Sequence, residues 1–552
     1  MAAIDKVIVT DASALGSKYG AGFARVRAAI AQLIAADEKR GVRTLLVPID
    51  NKPAMKRVRG AAVRPNSGPR HYKAAVDAVC AALNPDYLVI LGATDIVPHQ
   101  DLDNPLYAPD SDDDPKAFSD LPYACEAPYS KRIADFRAPT RVVGRLPDRV
   151  GDRDPSYLEK LLETASNYQT APRSSFDKYL GITAEVWKAS TALSLRSTFG
   201  GAAELQVVPP KQSRWPIAML RSRMHFINCH GALADPHFYG QRGDNYPISH
   251  DAAYLASKVG PGTIVAAECC YGAELYDPAL SEGQAGICST YLGAGGYGFF
   301  GSSTIAYGPS AGNAQADVIC QVFLQRVLLG ASLGRAALEA RQQYIAACGT
   351  LDPTDLKTIA QFNLLGDPAI HAVAIDLPAL ANTRAYRAAL PDRADAARRS
   401  RSLRRRQLAK AGLGLEVTIG AAKRVTKKPP ARVRAVLERA AKESGVRPEQ
   451  WASFAVEDPG NKLLRGAKVV RPGPSAFELL IGTKRVIPAK SARSKAARAR
   501  AAGQLPALRH VVVLTATVQD GKVVRLSRAY AKELHVAERS GRTKVGRRGL
   551  EE

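Results

Sequence analysis

Two segments of this 552-residue chain end in side chains suited to covalent chemistry. Residues 224–231 read MHFINCHG, an apolar run that stops at His230-Gly231, and residues 262–272 read GTIVAAECCYG, a second apolar run that stops at Cys269 and Cys270. A thiol and an imidazole delivered to neighbouring strand ends can serve as nucleophile and general acid/base. The ends of parallel strands are where an α/β sheet gathers such groups. A glycine after each run, Gly231 and Gly272, permits a tight turn that turns backbone amides toward a developing oxyanion.

The elements that must position these groups follow from the apolar pattern. KVIVT at 6–10, TLLVPI at 44–49 and DYLVILG at 86–92 read as buried strands, with amphipathic helices over 21–39 and 71–84 between them. A second series, YLGITAEVW, HFINCHG, GTIVAAECC and GYGFFGSST, reads as further strands ending in loops. This rhythm predicts α/β architecture with mainly parallel sheets, arranged as two subdomains over 1–175 and 176–380.

Charge divides the chain further. Of 77 Lys+Arg and 52 Asp+Glu, residues 381–552 hold 40 and 14, so a net of +26 sits there and the remaining body is close to neutral. We read 381–411 as an Arg-rich linker or helix and 412–552 as a basic α+β domain. That domain has a helix over 430–444 and a hairpin over 509–531 that turns at Asp520-Gly521. Such asymmetry suits an anionic partner, a nucleic acid or an acidic protein.

Several classes are set aside. No apolar run reaches the roughly 18 residues that span a bilayer, and Asp5 stands where a signal peptide carries basic residues. Eight cysteines, two of them adjacent, suit a reducing cytoplasm rather than a disulfide scaffold. GAGGYG at 293–298 has the dinucleotide spacing, but a helix is expected before it and a strand after it, the reverse of the required order. Cys229, His230, Cys269 and Cys270 lack zinc-ligand spacing. Asp110, Asp112, Asp113 and Asp114 form an acidic loop, expected to be solvated, whose hard oxygens could hold a structural calcium. No other cofactor is expected.

The ordered motifs resemble the gingipain family of cysteine peptidases, in the caspase–gingipain superfamily, over about residues 5–372. A strand ending in His-Gly and a later strand ending in Cys-x-x-Gly carry the resemblance. DYLVILGATDIVP resembles the family's Gly-Asp-x-x-x-Ile-Pro segment, with Ala93 departing from the Asp. SDLPYA at 119–124, RVVGRLPDR at 141–149 and NLLGDPAI at 363–370 follow in the family's order. The resemblance implies a caspase/gingipain-like fold and a cysteine endopeptidase acting on polypeptides through a thioester. It implies His230 as catalytic histidine, Cys269 as nucleophile and Glu185 as the carboxylate assisting the histidine. Cys270 fits the alternative Cys-x-Gly spacing and stays open as nucleophile. Arg-gingipains place an acid shortly after that Glu, whereas VWKASTALSLRS at 186–197 has none and carries Lys188 and Arg196, so arginine specificity is not supported. The expectation is a cytosolic bacterial endopeptidase. Its alternative is a catalytically silent scaffold whose basic region binds nucleic acid or a protein partner.

Overall fold

The computed structural model describes residues 4–374 apart from 110, 212 and 349, and residues 422–425, 429–456, 476–486, 507–531 and 534–536. The linker expected at 381–411 lies outside the described residues. Runs such as Lys6–Thr10, Tyr87–Leu91, Val142–Leu146 and Met224–Asn228 are buried on both faces. That is why their apolar residues run on consecutively rather than alternating with exposed polar ones.

These strands join one ten-stranded sheet, in the order Thr44–Pro48, Lys6–Thr10, Tyr87–Leu91, Val142–Leu146, Phe362–Leu365, Gly298–Ser302, Ile264–Ala267, Met224–Asn228, Tyr179–Ala184 and Leu205–Val208. The two subdomains expected from sequence therefore share a single sheet. Neighbours are parallel except for Phe362–Leu365 against Gly298–Ser302. That reversal makes the two halves run in opposite directions. The strand Phe362–Leu365 joins the first half through Leu365 paired in parallel with Arg145, whose guanidinium is buried against Asp120 at 2.6 and 2.8 Å.

The consequence for chemistry is direct. Met224–Asn228 and Ile264–Ala267 are adjacent parallel strands with Ile227 opposite Ala267, so the segments that follow them leave the same edge of the sheet. As expected, the helix Ile287–Gly293 precedes and the strand Gly298–Ser302 follows the glycine-rich segment.

Beyond the body, strands Ala422–Val425, Arg447–Val456, Ala476–Val486, Ala507–Gln519 and Lys522–Ala531 form an antiparallel sheet. The last hairpin turns at Asp520 and Gly521, both at positive φ, as such a two-residue turn requires. Successive side chains on a strand face opposite ways. Val512 and Leu514 accordingly pack with Val433 and Leu437 of the helix Ala431–Glu443. Val511 and Val513 join Ile305, Tyr307, Ile319 and Phe323 of the body in one apolar cluster. Tyr307 and Gly308 also pair with Ala531 and Tyr530. No helix among the described residues is long and apolar enough to cross a membrane.

Candidate active site

Immediately after the strand Met224–Asn228, His230 and Gly231 pair antiparallel with Tyr239 and Phe238. This folds the chain back and brings Gln241 to the imidazole. His230 Nε2 lies 2.8 Å from Gln241 Oε1, and Gln241 Nε2 donates to the Gly243 carbonyl at 3.0 Å. The second bond orients the carboxamide so that its oxygen faces the ring. Because that oxygen only accepts, Nε2 carries the ring proton, and Nδ1 is the basic nitrogen of the neutral imidazole. Trp187 and Tyr246 flank the ring, with centroids 4.5 and 5.3 Å away, and His230 is almost fully buried.

Cys269 opens a turn closed by the Gly272 amide donating to the Cys269 carbonyl at 3.1 Å. Its third residue, Tyr271, stands at φ +55°, a left-handed backbone that a bulky side chain rarely adopts. The His loop touches this turn where Gly231 has no side chain. A Cβ there would sit 3.3 Å from Cys269 Cβ and only 2.0 Å from the Cys270 carbonyl oxygen. A Cβ at Gly272 would lie 3.4 Å from Cys269 Cβ. The two glycines singled out by sequence therefore bracket Cys269, and Gly272 spends its amide on the turn.

The adjacent thiols differ in setting. Cys270 Sγ accepts from the Ala306 amide at 3.2 Å and faces the Ala306 carbonyl at 3.6 Å. It belongs to the apolar cluster of Phe300, Ile305 and Tyr307. Cys269 belongs to the cluster on the other side, with Cys229, Val265 and Ala273. Both are buried, and all eight cysteines are free thiols.

Glu185 follows the strand Tyr179–Ala184, and its amide donates to the Gln241 carbonyl at 3.1 Å. Its carboxylate is partly exposed and ion-paired with the Arg242 guanidinium. Gln241, which the sequence reading missed, is a side chain in hydrogen-bond contact with the imidazole. A neutral carboxamide eleven residues past the histidine carries no signal of its role.

Two acidic groups tie the loops together. Glu274 accepts from the Ala234 amide at 2.8 Å. Burial pushes its carboxyl up to about 8, against the pull of that hydrogen bond, with Asp114 and Asp235 adding to the rise. The acidic loop, expected to be solvated, is exposed at Asp113 but partly buried at Asp114 and fully buried at Asp112. Asp112 is fully buried between Lys357, at 2.6 and 2.8 Å, and the Tyr307 hydroxyl at 2.8 Å. Lys357 also stands 3.5 Å from Asp114. These carboxylates already face a buried ammonium, which repays the cost of burying them and supplies the positive charge a calcium would bring, so they do not fit a calcium ion. Asp110 lies outside the described residues. Among the described residues no group of three or more His, Cys, Asp or Glu side chains is disposed to hold a metal ion.

Comparison with known proteins adds the family. The profile of "Peptidase family C25" matches residues 248–373. No curated protein matches the chain. Among solved structures, one described as "Structure of Protease" is 11% identical over 95% of this chain and 97% of its own, with a TM-score of 0.42. The Saccharomyces cerevisiae separase–securin complex is 12% identical over 44% of this chain and 14% of its own, with a TM-score of 0.25. The C25 match covers Cys269, Cys270 and Gly272 in the setting described above, so the segment that carries both cysteines is similar to that peptidase family.

Proposed function

We propose that the chain is a cytoplasmic cysteine endopeptidase with Cys269 as nucleophile and His230 as general acid/base. The observation that carries this reading is the contact of the His230-Gly231 loop with Cys269, on adjacent strand ends inside a segment matching family C25. In the reaction, the Cys269 thiol gives its proton to His230 Nδ1 and its sulfur attacks a peptide carbonyl. The imidazolium then protonates the leaving amine as the C–N bond breaks and a thioester remains. Water, deprotonated by the same nitrogen, attacks the thioester and releases the acid and the thiol. Backbone amides near Gly231 and Cys269 are the donors for the oxyanion, each worth a few kcal/mol, about 3, in the transition state. Gln241 holds the ring, and Glu185 acts on it at one remove, through the Gln241 backbone. Eight free thiols support a reducing compartment.

The test is a panel of peptide substrates and thiol-reactive peptide probes on the wild type, Cys269→Ala and Cys270→Ala. Turnover and labelling lost only in Cys269→Ala uphold the reading. The reverse pattern moves the nucleophile to Cys270, and loss of neither rejects the peptidase.

A second reading, a silent scaffold that binds nucleic acid, is favoured by the net +26 over residues 381–552. Neutralising phosphates releases counterions, so such binding must fall steeply with salt. The full chain would then retard mixed-sequence DNA at low salt only, while cleaving no peptide.

A further inference from the structure

The left-handed backbone at Tyr271 persists only because its surroundings hold it. Two bonds do so: the Tyr271 amide donates to the Thr304 carbonyl at 3.1 Å, and its hydroxyl donates to Asp114 Oδ1 at 2.9 Å. The other oxygen of the same carboxylate, Oδ2, accepts from the Ile305 amide at 2.9 Å. The next amide along, that of Ala306, is the donor to Cys270 Sγ. One carboxylate therefore bridges the turn carrying both cysteines and the segment after the strand Gly298–Ser302. Behind it stand Lys357 and Asp112, with Asp112 holding the Tyr307 hydroxyl on that same segment.

Buried ion pairs are often no more stabilising than apolar residues of similar volume. A charged network instead imposes direction and distance on the groups it bonds. We propose that Asp114 is a positioning residue for the nucleophile: through Tyr271 it fixes the turn Cys269–Gly272, and through Ile305 it fixes the backbone that seats Cys270. The role rests on the cysteine-peptidase reading and extends it to a residue 155 positions before Cys269. Small displacements of a reacting group cost rate out of proportion to stability, about 100-fold for 1 Å. The signature of this role is thus a loss in kcat.

The experiment uses the full chain as wild type, Asp114→Asn, Tyr271→Phe and the double variant. Tyr72→Phe serves as control, since it removes a comparable 2.9 Å phenol–carboxylate bond, to Asp11, in the first half of the sheet. Peptide turnover, the alkylation rate of Cys269 read by mass spectrometry, and thermal unfolding are measured for each. Each single variant is expected to lose roughly 10- to 100-fold in kcat and in alkylation rate, with KM within about twofold. The double variant should lose little more than the worse single, because the two groups form one bond. Tyr72→Phe should lower the unfolding temperature without changing kcat. Should Asp114→Asn fail to fold, Tyr271→Phe carries the test alone. Singles that keep kcat and alkylation within twofold overturn the role of Asp114 while leaving the peptidase reading intact. Losses that merely track unfolding temperature, as in the control, overturn it too. A wild type that cleaves no peptide, with Cys269 alkylated no faster than the other seven cysteines, overturns the peptidase reading and this role with it.

Discussion

The Glu274 carboxylate accepts a hydrogen bond from the Ala234 amide, so the loop that follows Cys269 is fastened to the loop that follows His230. Ala234 itself stands at φ +49°, and Leu233 beside it is the exposed rim of the site. A buried carboxyl thus sets the spacing of two loops whose cysteine and histidine must meet.

Burial of this carboxyl makes stability depend on pH in a defined direction. The Glu274 carboxyl titrates near 8 in the folded chain and near 4.3 when unfolded. Between those values the folded state holds a proton the unfolded state has lost. The Glu274 contribution is therefore full below the lower value and is lost as pH rises through about 8. The slope is at most about 1.4 kcal/mol per pH unit for one proton. Glu274→Gln keeps an acceptor for Ala234 and cannot ionise. Denaturant unfolding from pH 5 to 9 should show the variant gaining on the wild type as pH rises. A constant difference between the two would show that Glu274 does not titrate in this range.

The strands were legible because each is a buried apolar run, and the His and Cys segments were legible because each such run stops at a reactive side chain. Their joining into one sheet was not, since it depends on the strand Phe362–Leu365, which pairs in parallel with one half through Leu365 and Arg145 and antiparallel with the other through Gly298–Ser302. The acidic loop was misread for a related reason. Four aspartates within five residues look solvated, while the lysine that neutralises Asp112 lies 245 residues on. Charge alone marked a C-terminal unit from 381. That cue is blind to Val511 and Val513, which pack into the apolar cluster of Phe300, Tyr307 and Phe323 in the body.

The adjacent cysteines should separate cleanly. Cys270→Ala removes a hydrogen bond from the Ala306 amide inside an apolar cluster, at a cost of about 1–3 kcal/mol in stability, and should leave most of the labelling of Cys269. Cys269→Ala should abolish labelling and turnover at a smaller stability cost. Chemical denaturation run beside probe labelling distinguishes the two, and equal loss of labelling in both variants would mean that Cys270 is needed for the geometry of the turn.

Gln241 should matter more than Glu185. Gln241→Ala frees the imidazole to rotate and to change tautomer, so kcat should fall roughly 10- to 100-fold, less than the roughly 10²- to 10⁴-fold ascribed to the positioned general acid/base itself, because the imidazole remains. Glu185→Gln breaks a partly exposed ion pair with Arg242, worth no more than about 1 kcal/mol, and should cost kcat a few-fold at most. A larger effect at Glu185 than at Gln241, read from kcat on one peptide, would reverse the order and make the carboxylate the dominant partner of the histidine.

The most local test lies at Gly231, where the loops touch. Its missing side chain is required by contact, since an added Cβ would meet the Cys270 carbonyl oxygen at 2.0 Å, and that oxygen belongs to a turn already constrained at Tyr271. Gly231→Ala must therefore push the His loop away from the Cys turn or distort the turn. Overpacking of this kind costs about 1–3 kcal/mol, and the separation of thiol from imidazole should cost kcat 100-fold or more. Gly201→Ala is the matched control, because nothing lies within 4 Å of its added Cβ and a surface substitution of this kind stays within about 0.5 kcal/mol. Turnover and Cys269 alkylation should collapse in the first variant and persist in the second. Full activity in Gly231→Ala would mean that the two loops do not need to touch there for the reaction, and the contact that carries the peptidase reading would lose its meaning.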